Sequence, residues 1–523
     1  MNVLRRVAGR AGAQGRFAGW HPLLFAAYPV LFLWSLNFDE VPPGDALPPL
    51  IAVIVAATLA TLLLAVLIGD RARAALVVTP IVLGLLVYGR VVDLVEAPGL
   101  VHRIGWAAVV GVGALGAWRL SASRLLSVDR ALLAIAAVLI AFTLVIIVPN
   151  EVTTASAAHP PDFAAGRVLA TTTDAPKRDV YWLIFDRYAS DRGLELQFGV
   201  KNDLTPWLRE QGFKVLDDSH ANYLTTSLSL STTSNIRHLE DLTAGTNSAA
   251  SFRERVYGSL QNSLVAQQFK ALGYRYYHLG SWWSPTRIDS GADVNYNAAG
   301  ASDFSSVLLQ QSAVPLALKA LGIAEETFSK NFQHGRYELQ TLDGLRDAPG
   351  PKFVWAHVLL PHPTYVFNTD GRYMTYAESR RLGEAAAWKR QFEYTNSRLK
   401  SFIGGLLALP EDKRPIIILQ ADEGHRFSVK ATDEGEDKGG FDWRTATPEQ
   451  LEIKFGIMNA WYVPGGVDLG LDPKMSAINT FPVLFNRYFG LDYKMLPDRI
   501  TTSIGAVERN ELLDITDRLP SLK

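Results

Sequence analysis

Residues Ile51 to Gly69 run on without one charged side chain. Such a run is long enough to cross the hydrocarbon of a bilayer, which takes roughly 20 apolar residues. It is one of five apolar stretches, at about 20–38, 48–69, 74–92, 105–120 and 131–148, all before residue 150. A cleaved signal peptide would be a single stretch followed by a small-residue cleavage site. Five in succession predict a transmembrane domain over residues 1–148. Basic residues orient it. Arg5, Arg6, Arg10 and Arg16 precede the first stretch, Arg71 and Arg73 separate the second and third, and Arg119, Arg124 and Arg130 separate the fourth and fifth. The alternate loops, around Asp39–Asp45 and Glu96–His102, are acidic or nearly uncharged. The bias puts the N-terminus in the cytoplasm and everything after about residue 150 outside it. Arg90 and Asp93 sit at an outer helix end, so the helices read as an anchor and lipid-substrate platform, not a transporter.

Residues 149–178, rich in Ala, Thr and Pro, predict an irregular linker. Over 179–523, apolar β-type runs alternate with helical patterns: strands at Asp179–Phe185, Tyr274–Leu279, Lys352–Leu359 and Ile416–Gln420, and helices at Leu204–Gln211 and Thr375–Leu407. That order predicts an α/β sheet with helices on both faces. The net charge of −1 gives no pull toward nucleic acid, and the absence of cysteine removes disulfide and thiolate chemistry.

Chemistry gathers at strand ends. The run Ile416–Gln420 leads into Ala421, Asp422, Glu423, Gly424 and His425; the first strand leads into Asp186 and Arg187. Ligands in α/β sheets bind beyond the carboxyl ends of the strands, and acids there suit a divalent cation. An acidic loop after a core strand and an Asp186–Arg187 pair are the plainer alternatives. The segment Asn222–Asn235 is dense in Ser and Thr, as a helix start or a source of a nucleophilic hydroxyl would be. His357 and His362 flank another strand end, the second held between Pro361 and Pro363. His357 reads equally as a substrate contact or a core residue.

The order of these pieces resembles the alkaline phosphatase superfamily, in its membrane-anchored, sulfatase-like branch of lipoteichoic acid synthases and phosphoethanolamine transferases. The resemblance implies an alkaline phosphatase-like sheet behind a five-helix anchor in the inner (cytoplasmic) membrane. It selects Thr226, in Thr226-Ser227-Leu228-Ser229, as nucleophile, and matches Asp186 to a metal-binding acid and His362-Pro363-Thr364 to a substrate loop. The implied metal set is Asp186, Thr226, Asp422 and Glu423; His362, His357, His425 and Asn222 are the implied substrate contacts. Where the family has Asp-His-Gly, this chain has Asp422-Glu423-Gly424, which broadens the cofactor to Mn, Zn, Mg or Ca. Formylglycine chemistry has no precursor here: it needs Cys or Ser two residues before the proline of a Cys/Ser-x-Pro-x-Arg pattern, and in Trp283-Ser284-Pro285-Thr286-Arg287 that position is Trp283. The expected activity is metal-dependent phospho-group transfer or phosphodiester hydrolysis on a cell-envelope lipid or glycan, through a phosphothreonine. Its rival is a catalytically silent, membrane-tethered scaffold.

Overall fold

The computed structural model describes residues 19–37, 41–94, 99–157, 168–169, 175–246, 249–298, 303–426, 441–503 and 512–519. The N-terminal arginines, most of the linker and most of the acidic run Asp433–Phe441 lie outside these residues. The chain divides into two compact units, one from residues 1–155 and 300–330, the other from 156–299 and 331–523.

The first unit is helical: α1 (His21–Leu36), α2 (Pro43–Ile68), α3 (Arg71–Leu86), α4 (Tyr88–Leu94), α5 (Gly99–Trp118) and α6 (Ala122–Ala157). Prolines near the first turns of α1 and α2 fit positions whose amides have no helical partner. The Asp70 carboxylate caps α3 by accepting from the Arg73 amide at 3.1 Å. Three helices, Pro43–Ile68, Gly99–Trp118 and Ala122–Val152, are long and apolar enough to cross a membrane. The other two expected spans are shorter. α1 has 16 residues, about 24 Å of helix. The stretch expected at 74–92 breaks at Val87 into α3 and α4. The reason is local. Leu85 O, which would accept from Gly89 N within a continuous helix, accepts from Ala313 N at 2.7 Å, and Gly89 N donates to Gln311 O at 2.8 Å. Residues 311–313 thus occupy the break.

The second unit is built on a seven-stranded sheet. Its strands are β1 (Val180–Phe185), β2 (Lys214–Val215), β3 (Arg275–Leu279), β4 (Val294–Tyr296), β5 (Lys352–Val358), β6 (Ile416–Gln420) and β7 (Asn459–Tyr462), in the order β2-β7-β6-β1-β5-β3-β4. The sheet is mixed: β1 runs parallel to both β5 and β6, while β7 is antiparallel to both of its neighbours, β6 and β2. Five adjacent strands, β6, β1, β5, β3 and β4, are parallel to one another. Alternation of side chains gives each face its own core. Tyr181, Leu183 and Phe185 pack on one side with Trp388, Phe392 and Phe402; Trp182 and Ile184 pack on the other with Phe269, Phe481 and Phe485. Helices therefore cover both faces, as expected. Three helices matter below: α7 (Thr226–Asn235), α8 (Glu384–Leu407) and α9 (Pro448–Phe455). The long helical stretch expected at 375–407 is interrupted at Gly383, where α8 begins.

Candidate active site

β1 has β5 on one side and β6 on the other, so the chain leaves its carboxyl end with neighbours in both directions. That is where α/β sheets open a crevice. Asp186 follows β1 directly, its amide donating to Val358 O at 3.0 Å. His357 lies near the end of β5, opposite Ile184, and Asp422 follows β6, whose Gln420 is also opposite Ile184. Register alone brings three residues from distant parts of the sequence to one level. All three are buried, and one ligand atom from each lies within 4.8 Å of the others.

These atoms have the character of a cation site. Asp186 Oδ1 and Asp422 Oδ2 are buried without a hydrogen-bond partner among the described residues. His357 Nε2 has only the 3.4 Å approach of Asp186 Oδ2. Buried carboxylate oxygens are costly to leave so. A divalent cation fits this donor set of two carboxylates and an imidazole. The imidazole is oriented from behind: His357 Nδ1 and Thr286 Oγ1 are 2.9 Å apart, and Thr286 Oγ1 is 2.9 Å from Ser281 Oγ.

Thr226 is the first residue of α7, and its hydroxyl stands close enough to the Asp422 carboxylate to act against the rise of that group's pKa. Amides in the first turn of a helix lack helical partners, so α7 presents N–H groups on the side where Thr226 stands. Electrostatics separate the two acids. Burial works to raise the Asp186 pKa, yet His362, His357 and Arg187 hold it below the ordinary carboxylate value. Burial, reinforced by the negative charges of Asp186 and Glu423, pushes Asp422 well above it. Arg187, in a left-handed conformation at φ 56°, donates its amide to Asp422 Oδ1 at 3.2 Å. A non-glycine residue held there marks a backbone shaped by its surroundings.

Glu423 stands apart from this cluster. Its Oε1 accepts from Arg187 Nε at 2.9 Å and its Oε2 from Lys454 Nζ at 2.7 Å, with both Glu423 and Lys454 buried. Lys454 belongs to α9, which reaches Glu423 because Gly424 N donates to Lys454 O at 2.9 Å. A Cβ on Gly424 would stand 2.3 Å from Ile453 O, so the close pass requires glycine. Asn222 is also outside the cluster. Its amide nitrogen donates to Ser476 Oγ and Arg499 O, and its oxygen accepts from Ile478 N. The expected roles of Glu423 as ligand and Asn222 as substrate contact therefore meet side chains already engaged within the fold.

The remaining histidines flank the site. Burial lowers the His362 pKa to about 4, although Asp186 pulls it the other way. Its loop is held by Gln391 of α8, which donates to His362 O at 2.9 Å and accepts from Val366 N at 2.8 Å. His425, edge-on to the stacked rings of Phe198 and Trp388, is brought to about 3, again mainly by burial. Trp283 is edge-on to Tyr257 and His357, while Trp282 lines an open depression with Asn331, Glu338, Pro363 and Thr364. Thr286, Gln391 and Lys454 were not singled out from sequence.

No known family profile matches the chain, and no curated protein is significantly similar to it. Solved structures are. The C-terminal periplasmic domain of EcEptC from Escherichia coli is similar at 15% identity and TM-score 0.42, over 67% of this chain and 97% of that one. The integral membrane lipooligosaccharide phosphoethanolamine transferase A from Neisseria meningitidis is similar at 12% identity and TM-score 0.37, over 90% and 95%. A phosphonate monoester hydrolase of Agrobacterium radiobacter is similar at 13% identity and TM-score 0.39, over 62% and 75%.

Proposed function

We propose that the protein is a metal-dependent phospho-group transferase or phosphodiester hydrolase. Its substrate would be a lipid or glycan of the cell envelope, and its catalytic unit would lie outside the cytoplasmic membrane. The observation that carries this reading is the convergence of Asp186, His357 and Asp422 ligand atoms beside the Thr226 hydroxyl at a helix start. Asp186, His357 and Asp422 would hold a divalent cation. When bound, such a cation offsets charge on non-bridging phosphoryl oxygens and acidifies a neighbouring hydroxyl.

The chain's own residues do the rest. Asp422 orients the Thr226 hydroxyl, and the open amides at the start of α7 favour an incoming anion. Thr226 Oγ attacks phosphorus in line; the Thr226 O–P bond forms as the bond to the leaving oxygen breaks, and the proton lost from Oγ ends on that departing oxygen. His362, neutral at physiological pH, donates an N–H hydrogen bond to the phosphoryl group. An acceptor hydroxyl, or water, then displaces Thr226 and releases the phospho group. The inactive-scaffold reading rested on Glu423 standing where related motifs carry histidine and on the lack of any histidine after His425. Here His357 supplies an imidazole to the same cluster, and Glu423 answers two cations instead.

The test is covalent. Quenched reactions with a phosphodiester should leave a phosphate on Thr226, found by peptide mass spectrometry. Turnover should fall about 10³-fold or more in Thr226→Ala. Equal turnover in wild type and Thr226→Ala, with no modified peptide, would contradict the proposal.

A further inference from the structure

Residues 314–324 read Val-Pro-Leu-Ala-Leu-Lys-Ala-Leu-Gly-Ile-Ala, with Lys319 their single charge. At eleven residues the run is too short to cross a bilayer, and it lies in the sequence far from the five long apolar stretches. The structure nevertheless places it in the unit of apolar helices. The helix Asp303–Gln310 buries Phe304 and Leu308 against Val30, Leu33 and Trp34 of α1 and Ala46 of α2. Gln311 and Ala313 then enter the break between α3 and α4, each by a backbone hydrogen bond. The Gln311 side-chain oxygen accepts from Arg90 Nε at 3.0 Å. Gly89 fits this wedge specifically, since a Cβ there would stand 2.7 Å from Gln311 Cα. After the helix Val314–Ala320, Leu321 is 77% and Ile323 38% exposed.

The wedge has a definite level. It meets the end of the bundle that holds the last residues of α1, the first of α2 and the break after α3, opposite the end carrying Arg71, Arg73, Arg119, Arg124 and Arg130. That level is the rim of the apolar belt formed by α2, α5 and α6, whose outward side chains, such as Leu59, Leu63 and Val145, are exposed as Leu321 is. Apolar side chains left outward at a rim, with one lysine among them, suit the boundary between headgroups and acyl chains.

We propose that residues 303–323 form an interfacial element whose Leu321 and Ile323 dip into the lipid at the bilayer surface. The proposal rests on α2, α5 and α6 spanning a membrane, and is independent of the chemistry proposed for the second unit. The absence of cysteine makes the test clean: Leu321→Cys and, separately, Ile323→Cys in the full chain, each labelled with an environment-sensitive fluorophore in lipid nanodiscs. Asp412→Cys, on an exposed turn of the second unit, is the aqueous control. Lipids brominated near the headgroup should quench the Leu321 and Ile323 labels and spare the control, while iodide should quench them at least about twofold less than the control. Equal iodide quenching at all three positions, with no effect of brominated lipid, would overturn the proposal. Protection from both quenchers would overturn it too, by assigning the surface to a protein partner. Leu63→Cys, on an exposed face of α2, checks the membrane itself. Lipids brominated along their acyl chains should quench its label; no quenching there would refute the spanning helices and the interfacial element with them.

Discussion

Asp422 and Glu423 are adjacent in sequence and opposite in circumstance. Asp422 faces another carboxylate, an imidazole and a hydroxyl, and one of its oxygens has no hydrogen-bond partner among the described residues. Glu423 faces Arg187 and Lys454, with a cation against each oxygen. Both are buried. The first arrangement concentrates negative charge and gains from a cation; the second is already neutralised by the protein. Two neighbouring acids at one strand end therefore do two jobs: one belongs to a candidate metal centre, the other to a buried ion-pair network that carries α9.

The largest separation comes from removing a carboxylate charge on the metal side. Asp422→Asn should abolish metal binding and lower phosphodiester turnover about 10³-fold or more, checked by metal analysis and steady-state kinetics. A smaller effect is expected one step back. Thr286→Val removes the hydroxyl that meets His357 Nδ1 and should weaken metal affinity about 10- to 100-fold, measured by competition with a chelating dye. On the other side of the comparison, Glu423→Gln leaves Lys454 and Arg187 without their carboxylate. It should lower folding stability by about 3 kcal/mol in denaturant titrations of the purified protein, and Lys454→Met added to it should recover much of the loss.

The smallest effect is a pH dependence. His278 lies behind the cluster, stacked on Trp355, and burial brings its pKa down from 6.5 to about 3. The folded state keeps this ring neutral while the unfolded chain protonates it below 6.5. Its contribution is thus full above pH 6.5 and is lost as pH falls toward 3. Stability of His278→Phe should fall less steeply over that window than wild type, read from urea midpoints.

The comparison also marks what sequence can reveal. Asp186 and Asp422 were legible because each follows a buried apolar run; the hydroxyl-rich segment signalled a helix start, and only the resemblance singled out Thr226 within it. The role of Glu423 was hidden, since its partners lie 236 and 31 positions away and only sheet register and the pass of Gly424 over α9 bring them in. His357 sits inside a strand, where nothing local says that Nε2 points toward two acids. The wedge at residues 311–313 was equally hidden. The eleven residues that follow it, with one charge, are too short to signal a membrane, and the break in the third apolar stretch that receives the wedge has no proline at Val87 to announce it.

The most direct measurement is the metal content of His357→Gln beside Glu423→Gln, each purified folded and equilibrated with the same excess of a divalent cation. The account predicts that Glu423→Gln retains the wild-type stoichiometry and His357→Gln loses the metal. Retention by His357→Gln with loss in Glu423→Gln would contradict it.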